Sequence, residues 1–144
     1  MYKHILLPID GSEACIRAVA QGAELAKVLG AAVTLMTAIE QNPTGLAGDV
    51  YRAGDNPMHQ AARDAAAHWL AQAKAIVVQH GIEPQQMVLQ EHSISKSILA
   101  AATSTGADLI VMGSHGASAL ERLLIGSQTQ RVLAQTNIAV MVLR

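Results

Sequence analysis

Apolar residues fall along this chain in two rhythms. Short aliphatic and β-branched runs at 4–9, 32–39, 86–90, 108–112 and 138–143 alternate with longer, alanine-rich stretches whose apolar positions recur at helical spacing. The pattern predicts five strands joined by four main helices. Strands this continuously apolar are covered on both faces, and crossovers returning to the same sheet are right-handed, so the expected class is α/β, doubly wound, with a parallel sheet. Gly30, Gly81 and Gly106 each follow a helical stretch, where a left-handed cap is wanted, and Asn56 before Pro57 reads as N-cap and first-turn proline. Residues 41–56, QNPTGLAGDVYRAGDN, keep no steady period and are expected to form a long loop, either a disordered insertion or a lid.

Composition narrows the function classes. At 144 residues with 51% apolar content, the chain has the length of one domain, taken as 1–144, and ample material for a core. Lys and Arg number 10 against 11 Asp and Glu; a formal charge of −1 gives no footprint for a polyanion, so nucleic acid is not an expected partner. With no Phe, two Tyr and one Trp, neither a base-stacking platform nor an aromatic sugar site is expected. In the opening MYKHILLPID only Ile5, Leu6 and Leu7 are apolar in sequence before Pro8, too few for a signal segment or a membrane span, and the expected location is the cytoplasm. Cys15, the single cysteine, lies in an apolar helical stretch and is expected to be a small buried hydrophobe.

Candidate chemistry concentrates in residues 112–130, MGSHGASALERLLIGSQTQ. In open α/β sheets ligands bind beyond the carboxyl ends of strands where the strand order reverses, and phosphates favour glycine-rich turns that feed helix N-termini. Gly113 and Gly116 are expected to let backbone approach an anion and to adopt positive φ, while Gly126 and Ser127 open the last helix. Ser118 with Glu121, and Ser127 with Gln130, have capping-box spacing, which predicts helix starts near 119 and 128 and a concentration of unpaired N–H groups. A helix dipole contributes only about 0.3–1 kcal/mol toward an anion, so binding requires many N–H groups together. The plain alternative is a helix–loop–helix with ordinary caps, since neither a Walker-type GxxxxGK nor a GxGxxG occurs. The first strand ends in LPIDGSE, where Asp10 either accepts from ribose hydroxyls or holds a metal bound to phosphates; the local alternative is that Asp10 or Ser12 turns the chain and caps the first helix.

Taken together these segments resemble a known family. Gly113, Gly116, Gly126 and Ser127 match the G-x2-G-x9-G-S pattern of ATP-binding universal stress proteins, and DLIVMGSHG, LLIGSQTQRVL and ILLPIDGSE are similar to that family too, so that the resemblance covers essentially the whole chain. It implies a Rossmann-like domain akin to the adenine nucleotide alpha hydrolases, with a five-stranded parallel sheet of order 3-2-1-4-5 and an adenine nucleotide at the switch point; the expected ligand is ATP, with Mg²⁺. On this resemblance Pro8, Ile9 and Asp10 sit at adenine and ribose, with Asp10 also the metal candidate. Ala38 turns its backbone to adenine where the family often has Val, and Met112 and Gly113 line the nucleoside. Gly116, Gly126, Ser127, Gln128 and Thr129 surround the phosphates. His115, inside the glycine loop, either places a donor near them or is solvated. Gln128 stands where a small or apolar residue is usual, and HSIS at 92–95 replaces a frequent glycine-containing approach to the third helix.

Other polar residues assign no further chemistry. His4, His59, His68, His80 and His92 show no metal-ligand spacing with Cys or carboxylates, so no structural zinc is expected. Arg122 either screens phosphate charge or extends into water. SISKS at 93–97 superficially resembles the lysine-serine signature of class I aminoacyl-tRNA synthetases but has no HIGH partner, and Ser114 is not on a GxSxG elbow. Without a P-loop lysine or a securely placed arginine, no catalytic residue is assigned, and slow ATP hydrolysis or self-phosphorylation is the most expected. The expected function is a nucleotide-responsive regulatory or stress-resistance factor acting on protein clients. The rival is a dimeric interaction protein that binds no nucleotide and keeps a vestigial glycine loop. The final run IAVMVL, apolar on both pleat faces and outermost in the sheet, leaves an edge that predicts a homodimer paired through 138–143, as the resemblance also implies.

Overall fold

The computed structural model describes residues 1–40, 57–114 and 125–144. Strand and helix alternate as β1 (His4–Pro8), α1 (Glu13–Leu29), β2 (Ala32–Glu40), α2 (Pro57–Gln79), β3 (Gln85–Glu91), α3 (Ile94–Thr105), β4 (Leu109–Gly113), α4 (Ser127–Gln135) and β5 (Ala139–Leu143). The strands form one sheet in the order β3-β2-β1-β4-β5, and every pairing is parallel. β1 runs beside β2 from His4 opposite Ala32 to Pro8 opposite Met36, and beside β4 at Ile5–Leu109 and Leu6–Ile110. The order therefore reverses between β1 and β4, which share one set of carboxyl ends. Among the described residues no helix is long and apolar enough to cross a membrane.

The pleat divides the core. Ile5, Leu7, Ile9, Leu109 and Val111 pack on α1 and on Leu70, Ala73 and Val77 of α2, whereas Leu6, Ile110 and Met112 face Ile98 and Ala101 of α3 and Val132 of α4. Such strands must be apolar at every position, and each buried Leu or Ile contributes roughly 1.5–3 kcal/mol. The expected glycine caps are present, with φ of 65°, 80° and 69° at Gly30, Gly81 and Gly106. α2 begins at Pro57, while Asn56 lies outside the described residues.

Asp108, just before β4, joins the two central strands. Its carboxylate accepts from the Lys3 N–H (2.9 and 3.1 Å) and the His4 N–H (2.9 Å), and its own N–H donates to the His4 carbonyl (3.0 Å). The His4 amide, followed by that of Lys3, holds the Asp108 carboxyl below its ordinary value. This depressed acidity makes the clamp's contribution present above the ordinary carboxylate range and lost as pH falls through the folded-state value.

Two local expectations are corrected. Ser127 is the first helical residue of α4 and Gly126, at φ −53°, is its N-cap, with no side-chain cap bond. The Ser127–Gln130 box does not form because the helix starts one residue earlier: the Gln130 N–H that Ser127 Oγ would accept donates to the Gly126 carbonyl (3.0 Å), and Gln130 Nε2 turns to the Ile125 carbonyl (2.7 Å). Gly113 is a strand residue without positive φ; its glycine lets α1 pack close, since a Cβ there would lie 3.0 Å from the backbone C and O of Ala14. The Ser118–Glu121 pair lies outside the described residues.

Candidate functional site

A cleft of about 460 Å³ opens over the carboxyl ends of β1, β2 and β4, at the switch point. Its floor begins at the end of β1. The strand stops at Pro8, but Ile9 stays fixed on β2 by donating its N–H to the Met36 carbonyl (2.7 Å) and accepting the Thr37 hydroxyl on its own carbonyl (2.8 Å). The chain then turns: the Ser12 N–H donates to Asp10 Oδ1 (2.9 Å), and Ser12 Oγ accepts the Cys15 N–H (3.1 Å) as N-cap of α1. Both local roles open for Asp10 and Ser12 are thus filled, yet the Asp10 side chain remains exposed and on the cleft wall. Gly11, in the left-handed region at φ +77°, lies between them under the Trp69 indole.

Across the floor, β4 delivers Met112 and Gly113, and α4 begins directly above them. The Gly126 N–H to the Ser114 carbonyl and the Thr129 hydroxyl to the Gly113 carbonyl (3.2 Å) tie the helix start to the strand end, while the Ser114 N–H holds Leu143 of β5 (2.7 Å). α4 therefore presents the amides of its first turn to the cleft without a side-chain cap. Gln128 leaves a buried Oε1 with no donor among the described residues.

The walls are small and apolar. Ala62, Ala65, Ala66 and Trp69 form one face of α2, and Ile94 and Ile98 come from α3. Asp10 and Glu40 are the acidic lining groups, and no Lys or Arg lines the cleft among the described residues. Cys15, 4% exposed, donates its thiol to the Pro8 carbonyl (3.6 Å); burial pushes that thiol up to about 11, so it stays protonated at neutral pH and packs as a hydrophobe. No group of three or more His, Cys, Asp or Glu that could hold a metal occurs among the described residues.

The structure brings Pro8, Ile9, Asp10, Ala38, Met112, Gly113, Gly126, Ser127, Gln128 and Thr129 to this one cleft. His115, Gly116 and Arg122 lie outside the described residues. Missing from the sequence reading are Met36, Thr37, Glu40 and the α2 face, above all Trp69. Trp69 lines the cleft with Ala62, Ala65 and Ala66, and their helical spacing was the available signal. Chemically the lining combines the start of α4, with no side-chain cap among the described residues, the Asp10 and Glu40 carboxylates, and small apolar side chains.

Fold and cleft together define an open, doubly wound α/β protein with a cleft at its switch point. The chain belongs to the universal stress protein family, whose model matches residues 1–144. A universal stress protein of Thermus aquaticus is 32% identical over 144 residues, spanning all of both chains. The solved Methanocaldococcus jannaschii protein MJ0577 superposes with a TM-score of 0.82 at 26% identity, over 99% of this chain and 96% of that one. Two further structures share the fold. A universal stress protein in complex with cAMP has a TM-score of 0.76 at 22% identity, covering 99% of this chain and 97% of that one. The Archaeoglobus fulgidus protein in complex with dAMP has 0.72 at 21%, covering 99% and 98%.

Proposed function

We propose that this protein is a nucleotide-responsive regulatory factor of the cytoplasm that holds an adenine nucleotide in the β1–β4 cleft, with the base and ribose near Pro8–Asp10 and the phosphates at the start of α4. The observation that carries this reading is the convergence of the Asp10 turn and the uncapped α4 N-terminus, more than a hundred residues apart in sequence, on one apolar cleft. The complexes of related proteins with cAMP and dAMP support adenine as the base.

ATP is the ligand form we assign, with Mg²⁺. Asp10 fits the ion: its carboxylate is exposed and gives only Oδ1 to Ser12, and Mg²⁺ is commonly held by one or two carboxylates together with phosphates. Bound there, the ion neutralises phosphate charge that Asp10 and Glu40 would otherwise repel. The chain's own residues bind and orient rather than react, because the described lining holds no nucleophile paired with a base. Two copies pair through 138–143, since among the described residues β5 pairs with β4 on one side and carries no strand on the other.

Calorimetry on protein denatured, dialysed and refolded tests the reading. AMP and ATP are expected to bind, GTP more weakly, and ATP more tightly with Mg²⁺ than with EDTA. Gly126→Val, which adds bulk where phosphate meets backbone, is expected to weaken ATP by at least about tenfold, the equivalent of one or two lost hydrogen bonds. No binding at millimolar nucleotide overturns the reading and leaves the dimeric interaction protein in its place.

A further inference from the structure

We propose that Gln128 reads the base of the bound nucleotide: its buried Oε1 accepts an N–H of the adenine 6-amino group, so that the cleft selects 6-aminopurines over purines that lack the amine. The inference rests on the nucleotide reading above and names the atom of the ligand that this side chain recognises.

Gln128 stands in the first turn of α4, and its place on that helix sets what its side chain can reach. Thr129 and Val132 are the buried residues of the helix, and Val132 joins Met36, Ile98, Ala101 and Met112 in the core between the sheet and α3. Gln128 lies four residues before Val132 and so shares its face one turn nearer the cleft, and helical side chains lean toward the N-terminus of their helix. The side chain is therefore carried over the cleft toward the wall where Ile94 and Ile98 of α3 meet Met36 and Ala38 of β2. The amides of the same turn point along the helix axis instead. Backbone and side chain thus serve different parts of one ligand, the amides its phosphates and the carboxamide a group lying against apolar surface.

The fold leaves this carboxamide incomplete. Oε1 is buried and has no donor, the single side-chain nitrogen or oxygen in that condition among the described residues. Other buried hydroxyls are paired: Thr37 donates to the Ile9 carbonyl (2.8 Å), Ser97 to the Ser93 carbonyl (3.1 Å) and Thr129 to the Gly113 carbonyl (3.2 Å). No Lys or Arg of the described lining can move onto Oε1, so its donor arrives with the ligand. An adenine nucleotide brings two kinds of donor, the ribose hydroxyls and the 6-amino group, its phosphates being ionised. The ribose belongs beside Asp10 on the reading above, which leaves the amine. A carboxamide also matches the adenine edge in form, accepting from the amine while donating to a neighbouring ring nitrogen. In guanine an oxygen replaces the amine, and two acceptors would face each other. A ligand without the amine leaves Oε1 unpaired, the condition under which protein sites discriminate most strongly.

The test uses the full chain and calorimetry with AMP and with purine riboside 5′-monophosphate, which carries hydrogen in place of the 6-amino group. The native protein is expected to bind AMP about 3- to 10-fold more tightly, the factor of one hydrogen bond. Gln128→Leu keeps bulk and removes the acceptor. It is expected to bring the two ligands within about 2-fold of one another by weakening AMP, whereas a purely structural role would weaken both alike. Native protein that binds both equally, or Gln128→Leu that keeps the full discrimination, overturns the proposal. If circular dichroism shows that variant unfolded, Gln128→Asn, which withdraws the amide by one methylene, takes its place with the same two outcomes. AMP binding without discrimination removes only the role of Gln128; no binding of either ligand removes the nucleotide reading as well.

Discussion

Gly11 and Trp69 show how much of the cleft depends on single atoms. At φ +77° a side chain at position 11 costs about 1–2 kcal/mol in backbone conformation, and its Cβ would also overlap a rigid indole, a further cost of about 1–3 kcal/mol. Gly11→Ala is accordingly expected to lower the unfolding free energy by roughly 2–5 kcal/mol. In a Trp69→Leu background the same change is expected to cost only the backbone share, about 1–2 kcal/mol. Urea denaturation of the four proteins checks both figures, and an equal loss in the two backgrounds would show that the indole does not bear on the turn. Gln128 is a residue-scale cost of another kind. Its Oε1 is buried without a donor, a condition worth about 1–3 kcal/mol of instability, at a position that lines the cleft.

At the scale of elements, each strand carries a different load. β1 and β4 are pinned at both ends, by Asp108 at the start and by the Ile9–β2 bonds and the Ser114–α4 bond at the finish, which is why loops as far apart as 9–12 and 126–129 can be held over one floor. β5 is bonded on one side only, and Met141 on it is 37% exposed. If copies pair there, sedimentation of the native chain gives a dimer and Met141→Lys, which adds like charges to both sides of the edge, gives a monomer; native protein sedimenting at the mass of one chain contradicts the pairing. These elements were legible in the sequence because strands buried on both faces must be apolar at every position and because glycine caps announce helix ends. The start of α4 was misread for a physical reason: Ser127 and Gln130 have the right spacing, but a tertiary bond from the Gly126 N–H to the Ser114 carbonyl sets Gly126 as the N-cap, and its carbonyl takes the Gln130 amide that the box needs.

For the whole molecule, the sequence singled out segments that meet at one cleft, and the topology supplied what brings them together. A glycine-rich stretch after β4 and an aspartate after β1 are informative only when those strands are neighbours at the reversal of strand order, as they are here. What stayed hidden was contributed by α2, whose alanines and Trp69 carry no motif and line the cleft only through the path of the helix. The central claim is that these separate segments bind one ligand, and amide hydrogen exchange with and without Mg²⁺–ATP tests it most directly. The account predicts slowed exchange at Ile9–Ser12 and at Ser127–Thr129 together, with the outer strands β3 and β5 unchanged; protection confined to one of these segments, or appearing elsewhere in the chain, would contradict it.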